Sequence, residues 1–337
     1  MDSTLQFIPV LVVGFTAALG LTPLSRQIAM RLGVVDKPNH RKIHNDLKPL
    51  MGGLAIDLGF AIAVLLFSPP HYFVQLGAVL AGATMLALIG LLDDRFDLSP
   101  YTRLVVMITA AALIVAVGIK IQFFNIPWLD AIITVIFIVA MINALNFMDN
   151  MDGLSAGTAA IASASFLLIA LSQHLSLVSL LAAALLGSSV GFLIHNFNPA
   201  STFMGDMGAL VLGYILAVLA LKVDYWTSTP GPYWIIPALV LAVPIFDITL
   251  VVFSRLAEGH PVFLASKNHT SHRLMSIGLT QRKTLLVMYS ASVFFGLVAL
   301  VTTAVPVTTA WIIAGVSLIL ITIIAGVMVY IRQHYRP

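Results

Sequence analysis

Eleven apolar stretches, each close to the length of a bilayer-spanning helix, constrain this chain more than any other feature. They are predicted at residues 5–24, 50–67, 73–92, 104–121, 128–145, 156–171, 177–194, 207–221, 234–253, 284–305 and 309–331. The sequence is 60% hydrophobic and 9% charged, whereas a soluble domain carries about 25% charged residues. A soluble globular fold is therefore excluded. We predict an all-α integral membrane protein, a bundle of about eleven transmembrane helices in a single domain over residues 1–337.

The basic residues predict the orientation of this bundle. Fifteen of the 17 Lys and Arg residues fall on loops that follow odd-numbered stretches, and only Lys120 and Lys222 fall on the opposite side. By the positive-inside rule the richer side is cytoplasmic, with the N-terminus outside and the C-terminus in the cytoplasm. The first residues lack the basic segment of a cleaved signal peptide, so the first stretch is predicted to be retained. The outer connections are short and nearly uncharged, and no chemistry is predicted there.

The cytoplasmic side is predicted to carry the active site. Its loops are 26–48, 93–103, 146–155, 195–206 and 254–283. The absence of cysteine excludes disulfides, thiolate metal sites and cysteine nucleophiles. Thirteen of the 14 acidic residues are Asp, a short side chain that suits turns and sites for divalent cations. The composition therefore favours a metal site built from Asp.

The first polar motif, Asp93-Asp94-Arg95-Phe96-Asp97, closes the third stretch. On a helix Asp93 and Asp97 would share a face, and carboxylates at a helix C-terminus are unfavourable unless a cation offsets them. One interpretation is a divalent cation or a phosphate-bearing substrate, with one Asp as a base. The alternative is a solvated loop in which Arg95 and Arg103 are local partners.

The second motif runs from Asn143 to Gly157 and spaces polar residues three apart, at Asn143, Asn146, Asp149 and Asp152. Residues three apart drift around a helix by about 60° per step, so we expect the chain to leave the helix near Asn146 for these side chains to converge. Asp152 has an alternative role as the N-cap of the following helix.

Three further motifs add polar groups on the same side. The segment 195–208 contains Asn196, Phe203 and Asp206; helix capping is the alternative for Asp206, and membrane anchoring for Phe203. The loop 266–283 contains His269, His272 and Arg273, which suit a diphosphate, and its residues 274–279 are predicted to form a short interfacial helix. Lys48 precedes Gly52 and Gly53, which permit close backbone approach or form a plain turn. Separately, Asp247 is predicted to be a buried partner of Arg255.

Together, DDRFD at 93–97, NALNFMDNMDGLSAG at 143–157, FMGD at 203–206 and HTSHR at 269–273 resemble the motifs of the polyprenyl-phosphate N-acetylhexosamine-1-phosphate transferases, of the glycosyltransferase family 4 type. The resemblance covers nearly the whole chain. It implies transfer of a sugar 1-phosphate from a UDP-N-acetylhexosamine to polyprenyl (undecaprenyl) phosphate, with release of UMP, as the first step of a cell-envelope glycan. It also implies a location in the cytoplasmic membrane, with the active site on the cytoplasmic face.

The resemblance also implies residue roles. Asp93 and Asp94 match the aspartate pair near the lipid phosphate, one of them a base for direct attack, and Asn146 and Asp206 match ligands of Mg²⁺, for which Mn²⁺ is a substitute. The remaining matches are to substrate-binding residues: Asp97, Arg103, Asn143, Asp149, Asp152, Asn196, Phe203, His269, His272, Arg273, Lys48, Gly52 and Gly53.

Two departures from the family pattern bear on the sugar. Many relatives have DGxDGL where this chain has Asp149-Asn150-Met151-Asp152-Gly153-Leu154. Many also have a closely spaced H-x-H-H, whereas here Thr270 and Ser271 separate His269 from His272. The absence of the HHH-type loop of the muramoyl-pentapeptide enzymes favours an N-acetylhexosamine such as N-acetylglucosamine. No nucleic acid partner is expected, and a homodimer stays open. The alternative function is a transporter or flippase, which usually places ionisable groups at mid-membrane and often has inverted repeats.

Overall fold

A computed structural model of the chain describes residues 5–36, 47–223, 225, 231–259 and 268–335. Within these ranges the chain is almost entirely helical. The portions of the predicted loops 26–48 and 254–283 that fall at 37–46 and 260–267 lie outside the described residues.

The helices are α1 (Ile8–Leu32), α2 (Gly52–Phe67), α3 (Phe73–Phe96), α4 (Pro100–Ala116), α5 (Pro127–Met148), α6 (Leu154–Ser172), α7 (Ser176–Asn196), α8 (Gly205–Lys222), α9 (Ile235–Val240), α10 (Ala242–Ala257), α11 (Thr270–Ser276), α12 (Gln281–Thr302) and α13 (Val307–His334). Between α1 and α2, the two-residue strands β1 (Val35–Asp36) and β2 (Lys48–Pro49) pair antiparallel, with Val35 opposite Pro49 and Asp36 opposite Lys48.

The predicted apolar stretches all form helices, but the ninth is divided at Leu241 into α9 and α10. Pro244 lies in the first turn of α10, where its missing N–H is tolerated, and a longer helix would have placed it in the interior. Among the described residues, eight helical segments are long and apolar enough to cross a membrane, and α2 and α4 are shorter apolar helices. The protein is therefore a polytopic membrane protein. The count of eleven spans and their orientation stay predictions.

Helix α8 lies at the centre of the bundle, packed against α2, α3, α5, α6 and α7. Of its residues only Asp206 and Lys222 are not fully buried, one near each end. They are sixteen positions apart in the helix, or about 24 Å at 1.5 Å per residue, close to the thickness of a bilayer's apolar core. The helix therefore connects two opposite rims of the bundle.

Peripheral helices present large apolar side chains to the outside. On α13, Trp311 is 56% exposed and Leu318 67% exposed, and the helix packs against α11 and α12 along one side. Water would oppose such exposure, whereas lipid tails would not. This surface agrees with a membrane environment.

Two local predictions are wrong. Helix α5 does not end near Asn146 but continues to Met148, so the chain leaves the helix at Asp149. The short helix expected at 274–279 forms instead at Thr270–Ser276 as α11, with Leu274 buried.

Candidate active site

One rim of the bundle carries five polar side chains that we call the carboxylate cluster: Asp93, Asp94, Arg103, Asn146 and Asp206. They converge because α3 and α5 end at this rim while α4 and α8 begin there. This rim is also where the sequence predicts the cytoplasmic loops.

Arg103 joins two acids of the cluster. Its Nη1 pairs with Oδ2 of Asp93 and lies 3.1 Å from Oδ2 of Asp206. The other oxygen of Asp206 accepts a 2.8 Å hydrogen bond from Nδ2 of Asn146. The N-cap of α8 is Met204, so Asp206 is not the capping residue that the alternative interpretation expected. Its carboxylate is used in contacts between three helices.

Asp94 differs from Asp93 in having a carboxylate oxygen without a partner. Its Oδ1 accepts from the backbone N–H of Asp206 at 3.1 Å, while its buried Oδ2 has no hydrogen-bond partner among the described residues. Gly205 makes this contact possible: its φ is +68°, and a Cβ there would lie 2.3 Å from that Oδ2. In Asp93, by contrast, Oδ1 accepts from the N–H of Leu98 and Oδ2 is paired with Arg103.

The glycine pair at the start of α2 allows the close backbone approach that the sequence predicts. The N–H groups of Gly52 and Gly53 each donate at 2.9 Å, to the carbonyls of Phe203 and Met204. A Cβ at Gly53 would lie 2.2 Å from the backbone nitrogen of Gly208, so no larger residue fits there. This contact fixes the segment before Asp206. Lys48 adds to it by donating to the carbonyl of Ala200 at 2.9 Å.

A second polar group forms where the turn at 149–153 meets the segment at 196–202. Oδ2 of Asp152 accepts from Nδ2 of Asn198 and from the N–H of Ala200, both at 3.0 Å. Helix α6 is capped by Gly153 and not by Asp152, so the capping alternative is wrong. The buried Asn196 accepts from the N–H of Gly153 and donates to the carbonyl of Thr202. Asn196 therefore holds the two segments together.

Asp149 is the first residue of this turn and interacts electrostatically with Asp206 of the carboxylate cluster. Its withdrawal from solvent raises the pKa of its carboxyl to about 8, and the negative charges of Asp206 and Asp152 act in the same direction. A hydrogen bond with Ser155 opposes them. Asp149 is therefore mostly protonated at neutral pH, which reduces the negative charge beside Asp206.

The histidine motif is anchored by Asp247 on α10. Nδ1 of His269 lies 2.8 Å from Oδ2 of Asp247, and the N–H of Thr270, the first residue of α11, donates to Oδ1 at 2.7 Å. The predicted burial of Asp247 is confirmed. The hydroxyl of Ser271 donates to Asn150 at 2.7 Å and connects α11 to the turn at 149–153.

Arg273 is buried at 2% exposure, and three of its nitrogens donate to the protein. The acceptors are the carbonyls of Asn268 and Met328 and the hydroxyl of Ser254. Burial lowers the pKa of this guanidinium to about 10, and the nearby Arg332 acts in the same direction. These contacts hold α11 against α10 and α13, whereas the resemblance implies a contact with the diphosphate.

Four other predicted site residues are placed as follows. Asp97 is exposed with φ +51°, one residue beyond the end of α3, and so does not share a helix face with the buried Asp93 as the spacing predicted. Asn143 donates to the carbonyl of Val139, within its own helix. Phe203 and His272 are half-buried, with the His272 ring 6.1 Å from that of His269.

Helix α12 supplies contacts that the sequence did not predict. Asn198 donates to Oε1 of Gln281 at 2.6 Å, and Arg282 donates to the carbonyl of Asn198. The hydroxyl of Tyr289 donates to the carbonyl of Gly153. Gln281 lies in the loop 266–283 but has no predicted role, and Tyr289 lies in no motif, since each acts through a partner more than 80 residues away.

The donor set fits Mg²⁺ chemically. No group of three His or acidic residues in the described part of the chain is arranged to hold a metal ion. However, Mg²⁺ is usually bound through one or two carboxylates together with substrate phosphates. The unpartnered Oδ2 of Asp94, the carboxylate of Asp206 and the amide of Asn146 are hard oxygen donors in one place.

Comparison with known proteins agrees with these motifs. Residues 76–224 match the model of glycosyl transferase family 4. The probable undecaprenyl-phosphate N-acetylglucosaminyl 1-phosphate transferase of Bacillus subtilis is 34% identical, with 100% of this chain and 96% of the relative aligned. The decaprenyl-phosphate N-acetylglucosaminephosphotransferase of Mycobacterium tuberculosis is 33% identical over 82% of this chain and 78% of its own. The undecaprenyl-phosphate alpha-N-acetylglucosaminyl 1-phosphate transferase of Escherichia coli K12 is 28% identical, over 80% and 76%.

Proposed function

The chain belongs to glycosyl transferase family 4, and from this membership we propose that it transfers N-acetylglucosamine 1-phosphate from UDP-N-acetylglucosamine to undecaprenyl phosphate or a similar polyprenyl phosphate. UMP is the second product, and the lipid-linked sugar begins a cell-envelope glycan. The names of the relatives support both the acceptor and the sugar. The segregation of 15 of 17 basic residues supports a cytoplasmic location for the active site.

The observation that carries this proposal is the carboxylate cluster at the rim of a membrane bundle. A polyprenyl phosphate has its chain in the bilayer and its phosphate at the surface, so its reaction needs polar groups at that depth. Arg103, Asp206 and Asp94 meet there, at one end of the buried helix α8. A transporter would instead need ionisable groups along the middle of the bundle.

The reaction is a displacement at phosphorus. An oxygen of the lipid phosphate attacks the β-phosphorus of the UDP-sugar, and the bond between that phosphorus and the bridging oxygen breaks. UMP leaves with the bridging oxygen, and the proton of a monoprotonated lipid phosphate passes to a carboxylate. Asp94 suits this role better than Asp93, because its Oδ2 has no partner among the described residues while both oxygens of Asp93 are engaged.

Asp206 and Asn146 would hold Mg²⁺, with Mn²⁺ as a substitute, and Asp94 lies beside them. The ion supplies positive charge that offsets the charge of the diphosphate during displacement. Arg103 keeps Asp93 and Asp206 in place and brings a further positive charge to the phosphates. The turn at 149–153, held by Asn196 and Asn198, forms the neighbouring wall where the uridine would bind.

The test uses purified protein in detergent with UDP-N-acetylglucosamine and undecaprenyl phosphate. We expect UMP release only when the lipid phosphate is present, and a lipid diphosphate sugar by mass spectrometry. Asp94→Asn should lower turnover by about 100-fold or more, in the range seen for loss of a general base. The proposal is overturned if the folded parent releases no UMP. It is also overturned if Asp94→Asn and Asp206→Ala both turn over near the parent level.

A further inference from the structure

A cavity of about 280 Å³ opens at the rim opposite the carboxylate cluster, and we call it the rim cavity. It lies among the connections before α3, between α4 and α5, between α6 and α7, and at the end of α8. Lys222 lines it, and about 24 Å of α8 separates Lys222 from Asp206. The rim cavity is therefore distinct from the proposed active site.

Both basic residues predicted on this side of the protein line this one cavity. Lys120 and Lys222 are the two Lys or Arg residues that the sequence places away from the basic rim, and they are more than 100 positions apart in the chain. No acidic residue is among the described residues that line the cavity. Neither lysine has an ion pair or hydrogen bond in the described part of the chain. The described lining of the cavity therefore carries positive charge and no carboxylate.

The other polar lining groups are also compatible with an anion. Gln122 and the half-buried Tyr72 line the cavity, together with His174, whose φ of +56° is rare for a residue other than glycine. The first turn of α7, Ser176 to Val178, forms another part of the wall, and no side chain caps this helix. Amide groups in a first turn lack acceptors within the helix and add donors to the charge of the lysines.

The volume limits the size of the ligand. At about 30 Å³ per water molecule, the cavity's 280 Å³ corresponds to on the order of nine waters. That is below the usual range for sites of drug-sized molecules, about 300–1,000 Å³, and suits a phosphate with a small substituent. Lys222 ends a helix long and apolar enough to cross a membrane, so it would lie near the level of the bilayer surface, where lipid phosphates lie.

We propose that the rim cavity is a binding site for a phosphate anion, held by Lys120 and Lys222. Two sources share this chemistry: the headgroup of an anionic phospholipid, and free phosphate on that side of the membrane. The proposal does not depend on the transferase reaction, since the cavity and the carboxylate cluster lie at opposite rims.

The experiment measures thermal protection of the purified full-length protein in detergent. One arm adds phosphatidylglycerol, with phosphatidylcholine, a zwitterionic lipid of zero net charge, as the comparison, and the other adds inorganic phosphate, with chloride at equal ionic strength. The test variant is the double substitution Lys120→Gln/Lys222→Gln. The matched control, Arg26→Gln/Arg31→Gln on α1 at the opposite rim, removes the same charge. The double substitution Lys120→Arg/Lys222→Arg keeps the charge.

The proposal is supported by two results together. The ligand protects the parent, the Arg26/Arg31 control and the lysine-to-arginine variant, and it binds the lysine-to-glutamine variant at least about tenfold more weakly. Protection confined to phosphatidylglycerol identifies the source as lipid, and protection by inorganic phosphate identifies a free anion. Absence of protection of the parent in both arms overturns the proposal, as does equal protection of the lysine-to-glutamine variant. If that variant does not fold, the single substitutions Lys120→Gln and Lys222→Gln are judged by the same criterion.

Discussion

Nη1 of Arg103 lies 3.1 Å from Oδ2 of Asp206, a contact that joins the first turn of α4 to the first turn of α8. The same nitrogen pairs with Asp93, so its removal would leave two carboxylates without their shared cation. We expect Arg103→Ala to lower the rate of UMP release by about 100-fold or more, the usual size for loss of an oriented charge at a reacting phosphate or carbonyl. Arg103→Lys should retain part of the activity, because it keeps the charge but loses the planar geometry.

Arg95 provides the control for this prediction. It directly follows Asp94 in the chain, is exposed, and donates to the carbonyl of Leu32 instead of a carboxylate. Arg95→Ala should keep near-parental UMP release and a near-parental melting temperature. An equal loss in Arg95→Ala and Arg103→Ala would contradict a specific role for the contact with Asp206.

Gly205 is predicted to tolerate no side chain. Its φ of +68° costs an L-residue about 1–2 kcal/mol, and a Cβ would also lie 2.3 Å from Oδ2 of Asp94 and from the carbonyl of Leu50. Gly205→Ala should lower the melting temperature and remove most activity. Gly20→Ala in α1, where a Cβ meets nothing within 4 Å, should instead stabilise by up to about 1 kcal/mol. Equal melting temperatures of the two variants would contradict this account.

The sequence predicts the helices well because bilayer length and apolar composition are sufficient to specify a membrane helix. It also predicts that Asp93, Asn146 and Asp206 share a rim, since each stands at the end of a stretch on the same side. It does not predict where a helix ends within a polar motif. The helix α5 continues past Asn146 because packing against α8 satisfies that side chain through Asp206.

Contacts between residues that lie far apart in the chain are not predicted from the sequence. Arg273 stands in a basic loop, and local charge favours a substrate phosphate, yet its guanidinium donates to the carbonyl of Met328, 55 residues away. Lys120 and Lys222 are unremarkable singly, and only the packing of four connections makes them line one cavity. Such pairings depend on tertiary arrangement and leave no spacing in the sequence.

Asp247 is predicted to hold the histidine motif in place. Its two oxygens accept from Thr270 at the start of α11 and contact His269, and hydrogen bonds to a buried charged group contribute about 1.5–3 kcal/mol each. Asp247→Ala should therefore destabilise the protein more than Asp247→Asn, which keeps an acceptor for the N–H of Thr270. Thr249→Ala, on the exposed side of the same helix, is the control and should leave the melting temperature near parental. A larger effect of Asp247→Asn than of Asp247→Ala would argue against this role.

Removal of divalent cations tests the proposed metal ligands. We expect a chelator to abolish UMP release and added Mg²⁺ to restore it. Asp206→Asn should raise the Mg²⁺ concentration for half-maximal activity by about tenfold or more, because it removes one anionic oxygen donor. Asp97→Asn changes a carboxylate that is exposed beyond α3 and should leave that concentration unchanged. Full activity in the chelator would remove the metal from the mechanism.

Asp149 is predicted to make the stability of the protein depend on pH. The pKa of its carboxyl is raised to about 8, so the folded protein keeps a proton that the unfolded chain releases near pH 4. Stability should fall as pH rises between these values, by up to about 1.4 kcal/mol per pH unit, and level off above about pH 8. Asp149→Asn has the shape of the neutral carboxyl and cannot ionise. Melting curves in chelator without substrate should therefore show similar stability for parent and variant at about pH 4, and a variant that is more stable than the parent at about pH 8. A difference that stays constant across this range would mean that Asp149 is ionised in the folded protein.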